Sequence, residues 1–319
     1  MLRLLEKFFR KKNEKPFWEM DTLPLDVIEE DVGDEFVTQQ LSDDSRSGSS
    51  QPGAKARSTI MPPQISASCA QSIGIQREHN EDSLFSLTSL LSGDGEAIPF
   101  GIYIVADGMG GHQHGEIASK IAVKTMASHI LEEILIRHIS RIHRPPEESL
   151  QEIMSKGIHK AHDTVLGEAI GGGTTLTAII IFNKQLTIAH VGDSRIYQMD
   201  ADGHIEPLTR DHSLVKRLEE LGQLTPEEAA VDPRRNVLYH ALGQAVPLEP
   251  EIISITCPRS GYLLLCSDGL WGVISEKMIG EIIRNNCALS DACQEMVDAA
   301  NAAGGPDNIS VILIKVPEN

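Results

Sequence analysis

TLTAIIIFNKQLTIAHVGD, from Thr175 to Asp193, reads as two apolar, β-branched runs joined at Asn183-Lys184, the pattern of a tight antiparallel hairpin. Four more runs read as strands: YIVAD (Tyr103 to Asp107), EIISIT (Glu251 to Thr256), YLLLCSD (Tyr262 to Asp268) and ISVILIKV (Ile309 to Val316). Between them, apolar residues recur every three to five positions in two places. One set is Ile117, Ile121, Met126, Ile130, Ile134 and Leu135; the other is Leu150, Ile153, Met154, Ile158 and Val165. This spacing predicts two amphipathic helices, separated by the Arg-Pro-Pro run at 144–146. Two further helices are expected near Ser275 to Asn286 and Ser290 to Ala303. Helices bunched in pairs, without regular strand-helix-strand alternation, predict an α+β domain of antiparallel sheets covered by helices.

The 319 residues carry 46 acids against 28 Lys and Arg, a formal charge of −18. That balance repels nucleic acid, so no nucleic-acid partner is expected. The five cysteines contain no CxxC pair, which points to reduced thiols and not to a zinc cage or a disulfide framework. No apolar run approaches the roughly 20 residues of a membrane helix, and Arg3, Glu6 and Lys7 break the apolar start, so a cytoplasmic protein is expected.

Residues 1–63 differ from the rest. A short basic amphipathic piece (LRLLEKFFRKK) precedes an acidic stretch from Asp21 to Asp44 that lacks Lys and Arg, then a segment rich in Ser, Gly and Pro. This composition predicts a largely disordered N-terminal extension, with residues 1–10 either a helix touching a membrane or partner, or a tail without function. Residues 64–319 form the expected globular domain.

Asp107 and Asp268 each end an apolar run and precede a glycine, Asp193 ends a third, and Asp307 stands just before the last strand. Glu81 and Asp82 come early in the domain. An acid at the end of a buried strand costs desolvation unless a cation offsets it. Oxygen ligands without His or Cys clusters suit Mg²⁺ or Mn²⁺, and carboxylates on two such ions make a hydrolase that activates water against a phosphoester. In ADGMGGH (Ala106 to His112) the glycines let backbone approach the ions, and the Gly108 carbonyl is a candidate ligand.

These segments resemble the type-2C metal-dependent protein phosphatases in their bacterial form. GIQREHNEDS (Gly74 to Ser83), VADGMGGHQHGEIAS (Val105 to Ser119), GGTTLTA (Gly172 to Ala178), HVGDSRIY (His190 to Tyr197), LTRDHSLV (Leu208 to Val215), LCSDGLW (Leu265 to Trp271) and GGPDNISV (Gly304 to Val311) carry the likeness, over about residues 66–316. The resemblance implies a central β-sandwich of two antiparallel sheets with helices on both outer faces. It also implies that Asp107 bridges two Mn²⁺ or Mg²⁺ ions, that Gly108 lends a carbonyl, and that Asp268 and Asp307 complete the other ion. Glu81 and Asp82 would hold metal-bound water or touch metal, and Asp193 would share a third, weaker ion with Asp268.

Arg77 is assigned to substrate phosphate, which its paired donors fit; an ion pair with Glu78 or Glu81 is the alternative. Many eukaryotic relatives carry a histidine after the Asp-Gly pair, where this chain has Met109. His112 is the candidate replacement as general acid, or else orients a ligand or caps the next helix. Residues 210–243 correspond to a flap beside the cleft, with Lys216, Arg217, Arg234 and Arg235 facing acidic substrate segments or solvent. The expected activity is a Ser/Thr phosphatase, monomeric, acting on phosphoproteins that include a Ser/Thr kinase. A hydrolase of small phosphoesters and a non-catalytic module on the same fold are the alternatives.

Overall fold

The structure is a computed structural model and describes residues 64–92, 97–110, 113–137, 148–200, 202–245 and 247–316. Residues 1–63, the Arg-Pro-Pro run and His112 lie outside the described residues. The strands are β1 (Ser66–Ser72), β2 (Ser83–Ser92), β3 (Ala97–Ala106), β4 (Gly108–Met109), β5 (Gly173–Thr174), β6 (Leu176–Phe182), β7 (Gln185–Val191), β8 (Arg195–Met199), β9 (Ile205–Pro207), β10 (Glu251–Thr256), β11 (Gly261–Cys266) and β12 (Ile309–Val316). The helices are α1 (Gln113–Ile130), continued by a π-wound turn at Leu131–Ile136, then α2 (Leu150–Glu168), α3 (Leu214–Glu220), α4 (Pro226–Val231), α5 (Asp268–Trp271), α6 (Glu276–Asn285) and α7 (Leu289–Ala302).

The hairpin read from sequence is the β6–β7 pair, with Leu176 opposite Val191 and Asn183 turning at φ 56°. It sits inside a five-stranded antiparallel sheet of order β10-β7-β6-β3-β2, facing a second of order β1-β12-β11-β8-β9. Strand alternation distributes the apolar residues over two faces. From β6, Ile179 and Ile181 point between the sheets, where they meet Tyr103, Val105, Ile188, Leu263, Leu265, Ile312 and Ile314. Ala178 and Ile180 point the other way and pack on Met126 and Ile130 of α1 and Met154 and Ile158 of α2. In the second sheet Val311 and Leu313 face Ile279 and Ile283 of α6 and Met296 and Val297 of α7. Strands buried on both sides explain the near-continuous apolar runs, since each fully buried Ile or Leu is worth about 1.5–3 kcal/mol. The result is the expected four-layer order of helices, sheet, sheet and helices.

Helix starts follow local chemistry. Ser149 and Thr225 form reciprocal capping boxes with Glu152 and Glu228, fixing α2 and α4. One expectation changes in detail: Asp268 does not stand on a turn but opens α5, with Ser267 as its N-cap residue.

Candidate metal centre

The loops at one end of the sandwich bring the sequence-assigned acids together. A cavity of ≈ 500 Å³ is lined by Arg77, Glu81, Asp107, Gly108, Asp193, Asp268 and Asp307, with Thr175, Asn236, Leu238 and Asn308 beside them. Each reaches it by a different route: Asp107 from the end of β3, Asp193 from the β7–β8 turn, Asp268 from the start of α5 and Asp307 from the residue pair before β12. Asp82 is the exception, since it does not line the cavity. It lies buried behind, 5% exposed, where the Ser267 hydroxyl donates to its Oδ2 at 2.7 Å.

The loop carrying Asp107 is fixed through its backbone. Its N–H donates to the Thr175 hydroxyl at 2.9 Å, and its carbonyl accepts from the Thr174 hydroxyl and the Thr175 N–H, both at 2.9 Å. The Thr175 hydroxyl also pairs with Ser194 Oγ at 2.8 Å, tying the Asp107 loop to the Asp193 loop. Gly108 tolerates no side chain, because a Cβ there would stand 2.3 Å from the Gly115 carbonyl oxygen and 2.6 Å from that of Glu81. Asn308 performs a similar service for the early loop. Its Oδ1 accepts from the Glu81 N–H at 2.8 Å, and its amide donates to the Ile73 and His79 carbonyls at 2.7 and 2.8 Å. Sequence reasoning gave Thr174, Thr175 and Asn308 no role, although GGTTLTA and GGPDNISV contain them; their polar side chains beside apolar runs were the available signal.

Electrostatics test whether this set fits divalent ions. Burial, followed by the neighbouring carboxylates, raises the acids together: Asp82 to about 8, Asp268 to about 6, and Asp107 and Asp193 well above the usual range. Carboxylates this close cannot all ionise in a dry pocket without a cation. Asp82 Oδ1 and Asp268 Oδ1 are moreover buried without a hydrogen-bond partner. Orphaned carboxylate oxygens, an all-oxygen donor set and a backbone cradle kept open by glycine are what hard divalent ions require.

For Arg77 the structure shows an ion pair other than the alternative named from sequence. Its guanidinium donates to Asp307 Oδ2 at 2.6 Å, not to Glu78 or Glu81, and remains half exposed at the mouth of the cavity. In the flap, Lys216, Arg217 and Arg234 pair with Glu219, Glu220 and Asp232, whereas the Arg235 guanidinium donates to the Ala230 carbonyl and its charge acts on Asp268.

A second group, His190, His212 and Glu251, brings three ligand-type atoms within 4.8 Å of one another. The His190 ring nitrogens are already engaged, with Thr177 Oγ1 at 2.9 Å and the Arg210 carbonyl at 3.0 Å. His212 Nδ1 accepts from the Gly192 N–H at 3.3 Å. The group is therefore a hydrogen-bonded support for the β7 end and not an ion cradle.

Fold and site define a hydrolase-type cleft for hard divalent cations at one end of an α-β-β-α sandwich. Residues 68–309 match the family "Protein phosphatase 2C", and the chain belongs to that family. "Serine/threonine phosphatase stp" of Listeria innocua is 37% identical over 214 residues, which cover 67% of this chain and 84% of that protein. The Mycobacterium tuberculosis serine/threonine phosphatase PstP/Ppp superposes with a TM-score of 0.65 at 28% identity, covering 80% of this chain and 99% of its own. The catalytic domain of serine threonine protein phosphatase PstP in complex with two manganese ions superposes at 0.64 and 27% identity, over 80% and 99% of the two chains.

Proposed function

We propose that this chain hydrolyses phosphoserine and phosphothreonine in proteins, using Mn²⁺ or Mg²⁺ ions held by Asp107, the Gly108 carbonyl, Asp268 and Asp307. The observation that carries this reading is the joint elevation of Asp107, Asp193 and Asp268 in one cleft, with Asp268 Oδ1 buried there without a hydrogen-bond partner. When bound, the ions supply a hydroxide-like nucleophile near neutral pH and positive charge for the phosphoryl transition state. Glu81 and Asp82 orient the surrounding water, and Asp193 with Asp268 serves a third, weaker ion.

Arg77 presents paired donors at the cavity mouth, so it would exchange its bond to Asp307 for the substrate phosphate and orient it. Water adds to phosphorus while the bond to the seryl or threonyl oxygen breaks, and the leaving oxygen takes a proton, for which His112 is the candidate donor. The cysteines do not serve as nucleophiles: none lines the cleft, and Cys257, Cys266 and Cys293 are buried with thiols pushed up to about 11, 12 and 11. No covalent phospho-enzyme forms.

The finer assignment is a cytoplasmic monomer that reverses a Ser/Thr kinase, with residues 1–63 as an extension outside the catalytic domain. Among the described residues no helix is long and apolar enough to cross a membrane. Turnover of a phosphopeptide panel against nucleotides and small phosphoesters, with and without chelator, tests the reading. Preference for phosphopeptides with full loss on chelation is expected; equal or better hydrolysis of nucleotides would replace it with a small-molecule hydrolase.

A further inference from the structure

Arg195 is held by three side chains at once. Its Nε and Nη2 donate to the two oxygens of Asp211 at 2.9 and 2.7 Å, its Nη1 donates to the Tyr197 hydroxyl at 2.9 Å, and its guanidinium carbon lies 3.6 Å from the centre of the Trp271 ring. The indole Nε1 in turn donates to the backbone carbonyl of Asp193 at 3.0 Å. Trp271 closes α5, which begins at Asp268, so one side chain joins the helix of one metal acid to the peptide of another. Asp211 belongs to the start of the flap, where the His212 N–H donates to the Gly192 carbonyl at 2.7 Å and the Ile196 N–H to the Thr209 hydroxyl at 3.0 Å.

This arrangement is expensive. A guanidinium and a carboxylate that is 6% exposed give up much of their hydration, and such a pair is seldom the cheapest way to fill space. An arginine is required because its planar fork accepts a bidentate carboxylate along its edge while its face stacks on an indole. The chain Asp211–Arg195–Trp271 thus has a defined output, the direction of the Asp193 carbonyl, and a defined input, the seating of the flap.

We propose that Trp271 and Arg195 are positioning residues that set the Asp193 loop for the weaker ion shared by Asp193 and Asp268, and that they link this ion to the flap. The inference rests on the reading of Asp193 as a metal acid. Arg77, Asp107 and Asp307 lie outside the relay, whose output is the Asp193 carbonyl and not the Asp268 side chain, so substrate affinity and tight metal binding are not its outputs.

Mn²⁺ binding to the full-length protein, followed by the EPR signal of free Mn²⁺ without substrate, tests this independently of turnover. Trp271→Phe keeps an aromatic face for Arg195 to cover, smaller by one ring, and removes the indole N–H that holds the Asp193 carbonyl. It should weaken the weaker class of Mn²⁺ sites about three- to tenfold, the span one hydrogen bond is worth, and leave the tight class unchanged. Arg195→Lys should act in the same direction, and the double variant should bind Mn²⁺ no worse than Arg195→Lys alone, because both changes cut one chain. With phosphopeptide, kcat at limiting Mn²⁺ should fall while KM stays within about twofold. A Trp271→Phe isotherm superposing on that of a wild type with weaker sites would overturn the relay alone. Fully additive losses in the double variant, or loss of the tight sites, would overturn it as well. A wild type without any weaker class would overturn the Asp193 reading and the relay together.

Discussion

Asp107 has both sides of its peptide pinned by Thr174 and Thr175, so its carboxylate is aimed by backbone that cannot relax. Burial, followed by the charges of Asp82 and Asp268, pushes its carboxyl pKa well above the usual range. Exchange for Asn keeps the shape and removes the charge that would hold two ions together. Asp107→Asn should therefore lower kcat at saturating Mn²⁺ by at least about 10⁴, the upper range for loss of one catalytic group. Retention of more than about a tenth of wild-type turnover, under about 1.4 kcal/mol of barrier, would rule out the two-ion mechanism. Arg77→Ala differs in kind. The guanidinium is half exposed and its partner is Asp307, so its loss should raise KM for phosphopeptide about tenfold or more and lower kcat less. Steady-state kinetics on one phosphopeptide separates the two, and a pure kcat defect in Arg77→Ala would remove it from phosphate binding.

Among elements, β7 shows how support and site are joined. His190, fully buried on β7, packs on the His212 ring beside Glu251, with its ring nitrogens on the Thr177 hydroxyl and the Arg210 carbonyl, and burial pushes its pKa down to about 4. The fold thus holds it neutral while the unfolded chain takes up a proton below about 6.5. Its contribution is complete above about pH 6.5 and is lost as pH falls toward 4, with a slope of at most about 1.4 kcal/mol per pH unit. His190→Asn lacks this dependence. The stability gap between wild type and variant should narrow from pH 7 to pH 4.5 in urea titrations, where the shared acid pocket cancels; a constant gap would show that His190 titrates normally. Sequence reading located β6, β7, β11, β12 and the end of β3 because strands buried on both faces must be apolar throughout, and it located the half-buried edge strand β10 from its isoleucines. It passed over β1, whose SASCAQS is small and polar and pairs only with β12 at a sheet edge, and β2, whose alternating Ser and Leu sit on the other edge. The acids were legible because glycines and apolar runs bracket them. The relay through Arg195 and Trp271 was not, since Asp211, Arg195 and Trp271 meet only after two sheet crossings.

At the scale of the whole molecule, the question is where the catalytic unit begins. β1 starts at Ser66 and lies along the full length of β12, from Ser66 opposite Lys315 to Ser72 opposite Ile309. Just before it, Ile65 is 6% exposed and belongs to the core between the sheets. β12 leads directly from Asp307 and Asn308, so loss of β1 would expose the strand that carries two residues of the cleft. We therefore propose a boundary between residues 63 and 65, and the two sides of it should respond oppositely to truncation. Deleting residues 1–63 should leave Mn²⁺-dependent turnover of a small phosphoester within about twofold and the thermal midpoint nearly unchanged. Deleting residues 1–72 removes a strand and a buried isoleucine, whose loss alone costs about 2–5 kcal/mol, and should abolish soluble, metal-binding protein. If the extension acts as a docking arm, the shorter deletion should alter only KM for a large phosphoprotein, with that for a phosphopeptide unchanged. A large loss of small-substrate turnover in the 1–63 deletion would place part of the catalytic unit inside the extension.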